Sequence, residues 1–190
     1  YHFPDDYDDD ELDFGLHALW MMGEMKAVEA LPEVLDFLAQ HDEVLEGSFG
    51  DMISWQPLVG FIDGDLSPLA AWMKRPGLSS RGRGAPSGAV AVAAAHRPEL
   101  RGAAVDFLRE VFEALRDATP GDGVLDTHLC SMLVSDAIAL RAVELEDVLR
   151  ELSASGRIHE THVGPLEEVL RDLAVPSEAP SVPGMLEFYE

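Results

Sequence analysis

Lys74, Arg75, Arg81, Arg83, Arg97 and Arg101 stand between Leu66 and Val105 beside a single acid, Glu99. A guanidinium is planar and offers paired N–H donors to carboxylates and phosphates, and "RGRG" at 81–84 would let a backbone come close to such a ligand. This centre carries +5, against −16 for Tyr1–Asp65 and −12 for Asp106–Glu190. A basic centre between acidic flanks is an electrostatic address for an acidic or phosphorylated protein partner. Arg75, Arg81, Arg83, Arg97 and Arg101 are its candidate contacts. The same arginines fit a solvated loop equally, or an answer to the protein's own acidic flanks.

The opposite chemistry lies at the start of the chain. Asp5, Asp6, Asp8, Asp9, Asp10 and Glu11 crowd carboxylates into "DDYDDDELD". A calcium loop of the EF-hand kind needs oxygen ligands at alternate positions, a glycine sixth and a glutamate twelfth. No register of this stretch supplies both, so it reads as an interaction arm for a basic partner or as a solvated tail. His159 and His162 flank "ET" in "HETH", one residue short of the His-Glu-x-x-His spacing that sets two imidazoles on one helix face. The preceding "SGR" predicts a turn. His17, His96 and His128 fall in predicted helices as structural residues.

Cys130 is the only cysteine, so no internal disulfide forms, and its neighbours Leu129, Met132 and Leu133 make it a buried small hydrophobe. No serine or cysteine sits in an oxyanion-forming glycine turn. The expectation is a chain with no catalytic residue, no metal and no cofactor.

Those residues need a scaffold, and 190 residues suffice for one domain with a proper core. A net charge of −23 repels phosphate backbones, which argues against nucleic acid. No apolar run approaches the roughly 20 residues of a membrane span. A cytoplasmic monomer is the default expectation.

Apolar periodicity supplies the scaffold. Leu16, Leu19, Trp20, Gly23 and Ala27 recur at helical steps, and Leu31, Val34, Leu35 and Leu38 begin a second stripe. Proline is tolerated in the first turn of a helix and disfavoured within one, so Pro32 opens a second helix and Lys26–Ala30 forms the turn. The plan recurs. Asp51 caps a helix through Trp55, Leu58, Val59 and Ile62, and Pro68 opens its mate. Pro98 divides an Ala-rich helix from one carrying Val105, Leu108, Val111, Phe112 and Leu115. Leu129, Leu133 and Ile138 lead into "ELEDVLREL", and "GPLEEVLRDL" closes the series. Trp20, Trp55 and Trp72 fall on the apolar faces as core residues. The prolines at 32, 68 and 98 give the spacing of helical-hairpin repeats, each completing its core on its neighbour. The predicted fold is all-α: an α-solenoid of about four antiparallel hairpins over 13–173, between an acidic arm (1–12) and a proline-rich tail (174–190).

"HALWMMGEMKAVEALPEVLDFL", "GDMISWQPLVGFIDGDLSPLAAWM" and "LCSMLVSDAIALRAVELEDVLRELSASGRIHE" resemble, in order and spacing, a bacterial HEAT-like domain family of unknown function. Its more particular turns are Gly50-Asp51, Asp63–Leu69 and Leu152–Glu160. "KRPGLSSRGRGAPSGAV" departs from the pattern as a longer, more basic connection. The resemblance implies the solenoid and no activity. HEAT-like enzymes set further expectations. Glycosylases of this kind need a basic concave face, and di-iron hydroxylases need several His-Glu pairs where this chain has only His159-Glu160. Bilin lyases need a chromophore pocket, which the sequence does not reveal. The resulting expectation is a non-catalytic adaptor. An inhibitor covering a partner's basic surface and a small-molecule enzyme with a concave-face pocket are the alternatives.

Overall fold

The computed structural model describes residues 9–41 and 55–175, and within them the chain is all helical, with no strand. Helix α1 spans Asp9–Glu24, and a 3-10 turn at Val28–Ala30 leads into α2 (Leu31–Gln40). A 3-10 helix at Pro57–Phe61 is followed by α3 (Ser67–Met73) and α4 (Ser80–His96). A second 3-10 turn, Pro98–Leu100, enters α5 (Arg101–Asp117), and α6 runs Thr127–Ala139. Val143–Leu145 turns into α7 (Glu146–Ala154), and the short α8 (Glu160–Val163) and α9 (Leu166–Asp172) complete the described chain. No helix among the described residues is long and apolar enough to cross a membrane.

Local chemistry accounts for most boundaries. Pro32 and Pro68 sit in the first turns of α2 and α3, where a missing N–H costs nothing. Ser79 caps α4 by accepting the Gly82 N–H at 2.9 Å, and Asp126 caps α6 by accepting the Leu129 N–H at 2.9 Å. Three helices end alike. Ala27 N–H reaches Met22 O at 3.0 Å, Ala142 reaches Ala137 O at 3.0 Å, and Arg157 reaches Leu152 O at 2.9 Å. The residue before each donor is left-handed: Lys26 at φ 54°, Arg141 at 51° and Gly156 at 70°. The chain thus reuses one device to turn each of these helices toward its successor.

Packing follows two parallel successions. In one, α1 meets the 57–61 helix, which meets α4, then α6, then α8. In the other, α3 meets α5, then α7, then α9. The pairs α3–α4, α4–α5 and α5–α6 join the two. Trp72, buried on α3, donates its indole N–H to Leu35 O on α2 at 3.0 Å. The Ala-rich α4 is buried nearly all round, from Gly82 to Ala94, and packs most extensively on α6. Trp20 is buried as predicted, and Trp55 is partly buried against Gly88.

Four sequence expectations change. "RGRG" is the first turns of α4 and not a connecting loop, because Ser79 caps that helix and Gly84 admits Met132 of α6 where a side chain would collide. Pro86 lies inside the same helix, buried in the core. The helix expected from Asp51 through Ile62 is only the 3-10 turn Pro57–Phe61, while Asp51 lies outside the described residues. The arm boundary at residue 12 falls within α1, which already begins at Asp9. Asp5, Asp6 and Asp8, Gly50, and residues 176–190 of the tail lie outside the described residues.

Gly23 and Gly60 carry the contact between α1 and the 57–61 helix. A Cβ on Gly60 would overlap the Gly23 carbonyl, and one on Gly23 would overlap the Pro57 carbonyl. Both obstacles are backbone, so neither can swing aside. Gly60→Ala is expected to lose about 1–3 kcal/mol of stability in urea titration. Gly102→Ala on α5, with open space around it, is expected to lose nothing.

Candidate functional site

Most arginines of the basic centre make contacts within the chain, at very different exposures. Arg83 is only 2% exposed and donates to Val124 O at 2.8 Å and to Asp126 Oδ2 at 2.7 Å. Asp126 also accepts from Ser80 Oγ at 2.6 Å while capping α6. Burial alone would raise its pKa, but the Ser80 and Leu129 hydrogen bonds and the Arg83 charge together hold the carboxyl below its ordinary value. Arg97 donates to Ile62 O at 2.7 Å. Arg101 donates to Leu140 O at 3.1 Å and Arg141 O at 2.7 Å, and grips Glu144 at 2.7 and 2.9 Å. That places a cation on the carboxyl end of α6, where the helix dipole favours it. Arg75 reaches Asp36 at 3.4 Å, and Arg81, partly buried on α4, is not free either. The five candidates are therefore distributed over internal contacts and do not converge on one open surface.

The pattern extends along α5. Arg101, Arg109 and Arg116 recur at seven- and eight-residue steps and meet Glu144, Asp147 and Glu151 of the following pair. Lys74 pairs with Glu110, Arg150 with Glu146, and Arg157 donates to Leu115 O. Nine of the thirteen basic residues thus have a named internal partner. Exposed pairs of this kind contribute little stability each, and each sets one cation against one acid. The acid excess is what remains.

One buried and one partly buried group have unusual acidity. Cys130 has no exposed surface, and desolvation, helped by the Asp126 charge, pushes its thiol up to about 12, so it is no nucleophile at neutral pH. Asp136, at the α4–α6 interface, accepts from the fully buried Ser87 Oγ at 2.5 Å. Desolvation there outweighs that hydrogen bond and raises its carboxyl to about 7.

Residues that the sequence kept apart gather at α6 and α8. His128 and His162 stack edge to face with centroids 5.0 Å apart, and His159 lies 5.8 Å from His162. His159 stands at the N-cap position of α8 without a side-chain capping bond, and its Nε2 lies 2.8 Å from Thr127 Oγ1. Among the described residues no group of three or more histidine, cysteine or acidic side chains is arranged to hold a metal ion.

Two of the clefts formed by the described residues bear on these elements. One, of about 180 Å³, lies between α1 and the 57–61 helix, lined by Trp20, Glu24, Lys26 and Pro57. The other, of about 140 Å³, lies beside Arg101, Pro98 and Ala139. Both are smaller than the roughly 300–1,000 Å³ usual for a small-molecule site.

Sequence reasoning missed one surface. Phe14, Met21 and Met25 are 76%, 52% and 75% exposed along one line of α1. Their seven- and four-residue steps were a legible signal of a second apolar face, masked by the stronger buried stripe through Leu19 and Trp20. No protein-family model, curated protein or solved structure matches the chain.

Proposed function

We propose that this chain is a non-catalytic binding module, built as a HEAT-like solenoid, that takes a basic protein partner on its acidic surface. The observation that carries this reading is the commitment of its arginines. With Arg83, Arg97 and Arg101 held by internal carbonyls and carboxylates, the outward electrostatics are those of the acid excess. This moves the interaction from the basic centre to the acidic flanks. The two packing successions support the solenoid, since each helix meets its counterpart in the next pair. The buried, inert thiol of Cys130 supports binding over nucleophilic chemistry. The resemblance to a HEAT-like family of unknown function fits the same architecture.

A tagged full-length chain incubated with host lysate at low salt, and again at high salt, tests the reading. The expected result is a partner of near-equal stoichiometry, rich in lysine and arginine, that is released as salt rises. An acidic partner, a salt-indifferent one, or none at either salt would overturn it.

A further inference from the structure

We propose that the outer face of α1 is the seat of a basic amphipathic helix contributed by the partner, with Phe14, Met21 and Met25 receiving its apolar side. This rests on the acidic-surface reading above and names where on that surface the partner sits. Side chains at steps of seven and four share one line of a helix, and Phe14, Met21 and Met25, the last just after α1, are the exposed large apolar groups among its described side chains. Its other face is satisfied: Leu19 and Trp20 are buried, and Gly23 meets the 57–61 helix. Among the described residues, the stripe therefore takes no part in the core. Elsewhere among the described residues only Val143 and Val175 are large, apolar and exposed, far apart in sequence and unaccompanied.

The residue types suit a helical guest. Methionine is unbranched and polarisable, so a Met-rich face adapts to the side chains of an incoming helix, and recognition of this kind uses anchors at helical spacing.

Charge selects the occupant. From Asp9 to Glu29 the chain carries six acids and a single base, Lys26. A second copy of this chain docking through α1 would bring two such segments together, and like charges across an interface oppose it. An anionic membrane surface is repelled for the same reason. A helix with apolar residues on one side and lysine or arginine on the other is complementary in both respects.

The test uses the full chain and two synthetic sixteen-residue leucine–lysine peptides of identical composition. One has its leucines at helical spacing; in the other the order is scrambled so that no apolar face forms. Fluorescence anisotropy of labelled peptide compares the parent with Met21→Glu/Met25→Glu, whose fold is checked by far-UV circular dichroism and thermal unfolding. Both positions are exposed, and Met21→Ser/Met25→Ser is the milder variant if the glutamates disturb folding. The patterned peptide is expected to bind about tenfold or more tightly than the scrambled one, and the variant to lose that margin with unchanged unfolding. Equal binding of both peptides would leave the acidic-surface reading standing and overturn the α1 seat. Unchanged affinity in the variant would also overturn it. Binding of neither peptide would overturn both readings. Sedimentation of the chain alone is expected to show a monomer; a dimer dissolved by the variant would make a second copy the occupant and end the proposal.

Discussion

Asp126→Ala is expected to cost about 3–5 kcal/mol of stability, the range for removing one partner of a buried ion pair. The Arg83 side chain is 2% exposed and that of Asp126 14%. Without the carboxylate, a charge held away from water keeps only the Val124 carbonyl. Ser80 Oγ loses its acceptor and α6 loses its cap, which alone is worth about 1 kcal/mol. Arg83→Met should cost much less, because it removes the buried charge and leaves Asp126 hydrogen-bonded by Ser80 and Leu129. Urea titration of both variants decides the matter. A loss below about 1 kcal/mol for Asp126→Ala, or equal losses for the two, would mean that water reaches the pair and that it does not organise the α4–α6 junction.

The second large effect has the opposite sign. Asp136→Asn is expected to stabilise the protein above neutral pH, by up to about 4 kcal/mol, and to do nothing once the pH is well below 3.8. The folded carboxyl titrates at about 7 against 3.8 as the reference for the unfolded chain. Below 3.8 the residue is protonated in both states and its contribution is fully present. Between 3.8 and 7 only the unfolded chain releases the proton, so parental stability falls by about 1.4 kcal/mol for each pH unit. Above 7 both states are ionised and the loss is complete. Asparagine does not titrate and still accepts a hydrogen bond from Ser87, so its stability profile lacks this fall. Midpoints in urea for both proteins at several values between pH 4.5 and 8.5 measure the difference. Parallel profiles would refute it. That window also keeps clear of most of the separate acid loss from Asp126, Glu144 and Asp147, whose lowered pKa values remove stability only as pH drops through their folded values.

These two carboxylates also show what the sequence determined. Pro32 and Pro68 opened helices, the turn at Lys26–Ala30 fell where periodicity put it, and the Ala-rich segment became a helix. Such features depend on backbone geometry and on neighbours three or four residues away, which a linear reading contains. The burial of Trp72 and Cys130 was legible for the same reason. What the arginines do was not. Their partners lie 35 to 43 residues away, so a tally of charge along the chain counted as a basic patch what the fold joins into internal pairs. Asp126 and Asp136 looked like two acids among thirty-six until tertiary packing placed one over a buried guanidinium and desolvated the other. The line of Phe14, Met21 and Met25 was visible as spacing, but only the packing of α1 decided that this face stays outside. Local propensity draws the helices, whereas solvent exposure and long-range electrostatics exist only once the helices are stacked.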